Sequence, residues 1–139
     1  MKKTWIIVII VLLSISIIGG GYAVLDNIFP KAANINYPTE DSITSISLIQ
    51  NNNVSVTIDA TDFEEFLQNI RNAQPTRQMS VNDYPTVKTY YTIVVDTSVR
   101  EYKYFIYAEN SQVYIELPYE GIYKANQQVL DFIVKYFKN

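Results

Sequence analysis

The chain has 139 residues, enough for one domain after a terminal segment is set aside and too few for two. Hydrophobic residues make up 48% of it, the share of an ordinary globular protein, so the composition argues against disorder. Cysteine and histidine are both absent, which excludes disulfides, thiol chemistry, zinc sites built from these residues and any catalytic triad with an imidazole base.

The charge balance excludes a further class of protein. The first 25 residues carry only Lys2 and Lys3, so the rest of the chain has 9 basic and 14 acidic residues and a net charge of −5. Nucleic-acid binding needs a basic surface that neutralises phosphates, so we expect no nucleic-acid partner. No motif in the chain predicts a cofactor or a metal site.

An apolar segment follows the two N-terminal lysines. Trp5 to Leu25 contains no charge, and as a helix these 21 residues would span about 31 Å, the thickness of the hydrocarbon core of a bilayer. Lysines before such a run place the N-terminus in the cytoplasm, so residues 1–25 are predicted to be a signal anchor that holds the remainder outside. Gly21-Tyr22-Ala23 also fits a signal-peptidase site, so secretion after cleavage near Ala23 stays open.

Residues 26–41 lack a clear periodicity and include two prolines, which is typical of a spacer. The outer domain is predicted to occupy residues 42–139. Two alternating runs, Ser42 to Ile49 and Val54 to Ile58, predict a β-hairpin that turns at Asn51 to Asn53. Apolar residues then recur with helical spacing from Phe63 to Ile70, before Pro75 ends that helix.

Three further β-rich runs follow a polar loop over residues 76–86. Short polar breaks separate them and predict an antiparallel meander of Lys88 to Asp96, Glu101 to Ala108 and Gln112 to Leu117. Residues 119–123 are predicted to be a connection, and a helix over about Asn126 to Phe137 closes the domain. The predicted fold is α+β, an antiparallel sheet with two helices in the order β-β-α-β-β-β-α, behind an N-terminal transmembrane helix.

Tyrosine is in excess, with 12 residues in the chain, and alternation puts aromatic side chains on both faces of the predicted meander. Burial of a single face would not require this. One interpretation is a tyrosine-rich contact surface in which Tyr90, Tyr102 and Tyr104 form one patch. The other is cross-strand aromatic pairing, or a sheet with both faces covered by helices.

A pair of glutamates, Glu116 and Glu120, suggests a competing function. Paired carboxylates could carry out acid–base hydrolysis in the cell envelope. Nothing else in the chain supports catalysis, so the primary prediction is a non-enzymatic binding or interaction module of the envelope. The small cell-envelope hydrolase remains the alternative.

Four motifs carry a resemblance to a known family. They are Ser42-Ile43-Thr44-Ser45-Ile46, Asn72-Ala73-Gln74-Pro75-Thr76, Ser80-Val81-Asn82-Asp83-Tyr84-Pro85 and Tyr114-Ile115-Glu116-Leu117-Pro118-Tyr119-Glu120-Gly121-Ile122-Tyr123. From Ile43 onward the chain resembles an uncharacterised family, a domain of unknown function, of small secreted or membrane-anchored proteins of Gram-positive bacteria. The resemblance implies no particular activity. Many members are lipid-anchored through a cysteine, and the absence of cysteine here favours a transmembrane anchor.

Two of these motifs fall in predicted loops, at Asn82 to Pro85 and at Pro118 to Tyr123. They could pack on each other as a structural clasp, or they could line a groove. In the second case Tyr119, Glu120 and Tyr123 join the candidate binding residues. The implied partners are the membrane, through residues 5–25, and another protein of the envelope.

Overall fold

The computed structural model describes residues 2–50 and 54–138 and divides the chain into two compact units, Met1–Lys31 and Ala32–Asn139. The first unit contains the helix α1, Lys2–Ile28, whose large apolar side chains such as Trp5, Leu12 and Leu25 are exposed. Within the described residues α1 is the one helix long and apolar enough to cross a membrane, judged by length and composition. The apolar helix is therefore confirmed, whereas its place in a membrane stays a prediction.

The second unit is an α+β domain with one antiparallel sheet, as predicted. Its strands and α-helices in chain order are β1 (Ile43–Gln50), β2 (Val54–Thr57), α2 (Phe63–Arg71), β3 (Gln74–Pro75), β4 (Tyr91–Thr97), β5 (Glu101–Glu109), β6 (Gln112–Leu117), β7 (Gly121–Ala125) and α3 (Gln127–Phe137), and single 3-10 turns precede β1 and α2. The seven strands lie in the order β2-β1-β4-β5-β6-β7-β3. The hairpin of β1 and β2 and the meander of β4 to β6 are confirmed, while the predicted turn at Asn51 to Asn53 lies outside the described residues.

The sequence does not predict two of these strands, so the observed order is β-β-α-β-β-β-β-β-α. The first, β3, is a two-residue strand beside β7. The second, β7, occupies residues that we expected to form a connection. Leu117 pairs with Gly121 across a tight turn, and Tyr119 within this turn has a φ of 62°. The left-handed residue of the turn is therefore a tyrosine, and Gly121 begins a strand instead of supplying the turn.

One face of the sheet, which we call the helix face, is covered by α2 and α3. The four apolar positions of α2 recur at helical spacing and all face inward: Phe63, Phe66, Leu67 and Ile70. The ring of Phe66 lies 6.4 Å from the ring of Tyr104 on the sheet and 6.1 Å from that of Phe132 on α3. Phe66 therefore joins both helices and the sheet in one core, whose burial stabilises this cysteine-free domain.

The segment before β1 is only partly the spacer predicted for residues 26–41. Ile35 is buried within the core of the domain. The Tyr104 hydroxyl donates to the carbonyl oxygen of Asn36 at 3.1 Å, and the Tyr123 hydroxyl donates to that of Ala33 at 2.8 Å. The compact unit accordingly begins at Ala32 and not at Ser42. An isolated apolar residue such as Ile35 produces no periodic signal, which is why the sequence did not reveal this boundary.

Gly121 permits the close approach of this segment to β7. A Cβ atom placed on Gly121 would lie 2.5 Å from the Cβ atom of Ala32, well inside van der Waals contact. Ala32 is held in place because its backbone N–H donates to the carbonyl oxygen of Thr76 at 2.9 Å. Glycine is therefore required at position 121 by a close contact of two chain segments.

Phe66→Ala is expected to lower the free energy of unfolding by about 3–5 kcal/mol, because it removes a fully buried ring and leaves a cavity. Glu65→Ala is the matched control: Glu65 is exposed and makes an ion pair with Lys135 at 3.5 Å, so its loss should cost under about 0.5 kcal/mol. Urea unfolding monitored by circular dichroism measures both. Equal losses would show that the buried face of α2 is misassigned.

Gly121→Ala is expected to lower the free energy of unfolding by about 1–3 kcal/mol through overpacking against Ala32. Combining it with Ala32→Gly removes the clashing methyl group, so the double variant should recover most of this loss. A thermodynamic cycle over the two single variants and the double variant measures the coupling. Additive effects would contradict the contact.

Candidate functional site

The second face of the sheet, which we call the loop face, is covered by residues 76–90. This segment contains no helix or strand, although it connects β3 to β4 over 15 residues. It is tied to β7 at its start: the Thr76 N–H and hydroxyl donate to the Ile122 carbonyl oxygen at 3.1 and 2.6 Å, and the Ile122 N–H donates to the Gln78 carbonyl oxygen at 3.0 Å. Irregular segments of this length are uncommon in compact domains, where they are usually either functional loops or linkers, and this one is packed on the sheet.

Aromatic packing holds the far end of the segment on the sheet. The rings of Tyr84 and Tyr90 lie 5.7 and 5.5 Å from the ring of Phe105, which is fully buried. Pro85, between them in the chain, is buried as well. Residues 76–90 therefore form a second apolar layer over β5, held at one end by hydrogen bonds and at the other by rings.

A buried carboxylate lies under this layer. Glu116 of β6 has a side chain that faces the segment and is only 6% exposed. The Ser80 hydroxyl donates to its Oε1 atom at 2.7 Å, and the Tyr107 hydroxyl donates to its Oε2 atom at 3.1 Å. Burial, followed by the neighbouring charge of Glu116, raises the pKa of the Tyr107 hydroxyl well above its usual value, so Tyr107 remains a donor. Both carboxylate oxygens therefore have a partner, as burial of a charged group requires.

A cavity of about 210 Å³, the loop-face cavity, opens beside this carboxylate. The sheet contributes Tyr107, Glu109, Tyr114, Glu116 and Ile122 to its lining, and the segment contributes residues 78–82, 86 and 87. Two lining side chains, Met79 and Val81, are 56% and 71% exposed, and Tyr84 nearby in the segment is 56% exposed. The result is a polar, acidic cavity with an apolar rim.

The patch predicted from Tyr90, Tyr102 and Tyr104 is not assembled, so that geometric prediction is wrong. Tyr104 pairs with Ile93, and both are buried in the core that the helices cover. Tyr102 packs against the same core, whereas Tyr90 packs on Phe105 on the loop face. Alternation along one strand shows which of its residues share a face. It does not show the register with the next strand, so it cannot show which residues of two strands lie on the same face of the sheet.

The remaining predicted binding residues lie at the turn before β7 and within it. The Tyr119 hydroxyl donates to Oδ1 of Asp83 at 2.6 Å, a contact that raises the pKa of this exposed hydroxyl. The two loop motifs thus touch through this hydrogen bond, as the clasp requires, while Asn82 of the first motif also lines the loop-face cavity. Tyr123 is buried beneath residue 33 and cannot belong to a surface. Glu120 is exposed and lines a separate cavity of about 190 Å³ together with Tyr102 and Tyr104.

The two glutamates of the hydrolase hypothesis do not share a site. Glu116 lines the loop-face cavity, whereas Glu120 lines the cavity at the other side of the turn, beside Arg100. Within residues 2–50 and 54–138 no three acidic side chains are grouped so that they could hold a metal ion. The arrangement around Glu116 suits recognition of a ligand, since hydroxyl, amide and carboxylate groups converge on one small space.

Sequence reasoning missed Ser80 and Tyr107 as partners of Glu116. The alternation in β5 contained a signal for Tyr107. Tyr104 and Ile106 belong to the core under the helices, so Phe105 and Tyr107 must point to the opposite face of the sheet. The signal for Ser80 was its place in one of the family motifs, although no periodicity links that motif to β6. Contacts that a long irregular segment makes with a sheet leave no pattern in the sequence.

The comparisons with known proteins agree with this architecture. A solved structure described as "NMR structure of the protein from Ruminococcus gnavus" is similar, with 29% identity and a TM-score of 0.57 over 66% of this chain and 91% of that chain. No curated protein matches the chain. The family model DUF5301, described as "Domain of unknown function (DUF5300)", matches residues 31–124, so its match begins where the compact unit begins and includes the loop-face cavity. The chain therefore belongs to the DUF5301 family, an uncharacterised domain family.

Proposed function

We propose that this chain is an anchored, non-enzymatic binding module, in which α1 spans the membrane and the domain from Ala32 onward binds an envelope partner outside the cytoplasm. The observation that carries the binding role is the loop face. A long segment tied to the sheet at both ends exposes Met79 and Val81 at a polar cavity. The ring of Tyr84 packs on Phe105 but is still 56% exposed in the same segment. Grouped apolar side chains at the surface of a soluble domain mark interaction sites, because leaving them in water is unfavourable.

The charge pattern of the N-terminus supports the topology. Lys2 and Lys3 lie in the first turn of α1, ahead of its apolar part Trp5–Ile28, whose most apolar stretch has a mean hydropathy of 2.5. A positive flank before an apolar helix keeps that flank in the cytoplasm and sends the chain after it across the membrane. Cleavage near Ala23 would release the same domain outside, so the binding role is common to both forms.

The arrangement of the carboxylates supports binding over hydrolysis. Hydrolysis of a glycosidic bond by paired carboxylates needs both groups to face the scissile bond at a separation of about 5–9.5 Å. Here Glu116 and Glu120 line different cavities, and hydroxyl groups already engage both oxygens of Glu116.

The topology predicts the behaviour of a reporter fused after Asn139. A reporter that is active only outside the cytoplasm should be active, and one that is active only inside should be silent. Mass spectrometry of the mature protein distinguishes the two forms, since an anchored chain retains residues 1–25 and a secreted one begins near Val24. Activity of the cytoplasmic reporter alone would exclude the proposed topology.

The binding role predicts that the rim of the loop-face cavity is required for a partner. Met79→Ser combined with Val81→Ser should lower recovery of the partner in a pull-down from solubilised membranes by about tenfold, because two apolar contacts are lost. Val99→Ser is the matched control, since Val99 is 87% exposed on the turn between β4 and β5. All three substitutions are at exposed positions, so melting temperatures should stay nearly unchanged. Equal recovery with the rim variant and the control would refute the role of this surface.

A further inference from the structure

We infer that the loop-face cavity receives an arginine side chain of a partner protein, whose guanidinium group pairs with Glu116 while its apolar neighbours contact the rim. This inference rests on the proposed function and names the chemistry of its ligand. Three features of the cavity support it: the charge of its lining, the unused hydrogen-bonding capacity of its polar groups, and its size.

The lining of the cavity is acidic. Glu109 and Glu116 are its two charged residues, and neither cation of the covering segment, Arg77 or Lys88, belongs to it. Lys124, which lies opposite Tyr114 on β7, lines a neighbouring cavity instead. The domain from Ala32 onward also carries 8 basic and 13 acidic residues, because only Lys2, Lys3, Lys31 and Asp26 of the charged residues in the chain come before it. Such a field attracts a cation and repels phosphates and carboxylates.

The polar groups can accept a ligand without losing their present partners. Each oxygen of Glu116 accepts one hydroxyl hydrogen bond, and a carboxylate oxygen has the capacity to accept a second. A guanidinium group offers two parallel N–H donors in the fork geometry that a carboxylate matches. Tyr114 lines the cavity and is only half-buried, so its ring, which packs 5.7 Å from the buried ring of Tyr107, offers aromatic surface to a planar cation.

The size of the cavity favours one side chain over a larger ligand. At about 210 Å³ it is smaller than the roughly 300–1,000 Å³ of a cofactor or drug-sized site. A single long side chain fills such a space, while the residues next to it in the partner meet Met79 and Val81 at the rim. A buried polar anchor surrounded by apolar contacts is the usual arrangement of an interface hot spot.

Titration of the full-length chain in detergent micelles tests the inference directly. N-acetyl-arginine methylamide is the probe, and its neutral isostere N-acetyl-citrulline methylamide is compared with it by amide chemical-shift changes. We expect the arginine probe to bind with a Kd on the order of 1 mM, to shift residues 78–87 and Glu116, and to weaken as salt rises. The citrulline probe should bind at least about tenfold more weakly, since it keeps the shape and loses the charge.

Variants of three glutamates locate the site. Glu116→Gln should abolish the shifts caused by the arginine probe, and Glu109→Gln, at the exposed edge of the cavity, should weaken binding about threefold without disturbing the buried network. Glu120→Gln removes an exposed charge outside the cavity and should change nothing. Glu109→Gln keeps the test informative if Glu116→Gln does not fold.

Several results would overturn the inference. They are equal binding of the two probes, stronger binding of N-acetylglucosamine at the same residues, shifts confined to other surfaces, and binding unaffected by Glu109→Gln. The proposed function fails separately. If the rim variant loses its partner while the arginine probe does not bind, the surface stands and the arginine ligand is wrong. If the arginine probe binds while the rim variant keeps its partner, the rim is not the interaction surface.

Discussion

The central strands of this sheet carry large apolar side chains on both faces, and the rest of the domain follows from the need to cover them. Phe105 and Ile106 are neighbours in β5 that point to opposite faces, and both are fully buried. Two helices cover one face, and the described residues of the domain include no third α-helix to cover the other. Residues 76–90 take that role, which explains why so long an irregular segment lies on a sheet instead of extending into solvent.

A covering layer without secondary structure packs differently from a helix. Its backbone groups need partners, so it is bonded to β7 through Thr76 and Gln78, and its side chains meet the sheet where the chain path allows. The carboxylate of Glu116 is tolerated on this face because the segment passes over it and places the Ser80 hydroxyl at hydrogen-bonding distance. The spaces that such a layer leaves unfilled are polar and reach the surface. The same covering that stabilises β5 and β6 therefore creates the acidic cavity and presents its apolar rim.

Local patterns predicted the elements, and long-range contacts account for what they missed. The alternation around β1, the helical spacing from Phe63 to Ile70 and the length of α3 each depend on neighbouring residues, so they could be predicted. The start of the domain depends on Ile35 meeting residues far along the chain, and β7 depends on a turn that places Tyr119 in a left-handed conformation. The candidate site has the same origin. The sequence singled out Glu116 as a candidate carboxylate but did not reveal its partners. One is Ser80 in a distant loop, and the other is Tyr107, which lies on the face of β5 opposite to the helix-covered core.

Residues 32–36 are attached to the domain in a way that affects how it would respond to tension. They belong to no strand, and a backbone bond from Ala32, the hydroxyls of Tyr104 and Tyr123, and the buried side chain of Ile35 hold them in place. A force transmitted along the chain from α1 reaches these few contacts before it reaches the sheet. These contacts would break one after another, and the five residues would then extend to about 17 Å. The sheet would be loaded only after these contacts are lost, so a pull from the N-terminal side would first detach residues 32–36 and leave the hydrogen bonds between strands intact.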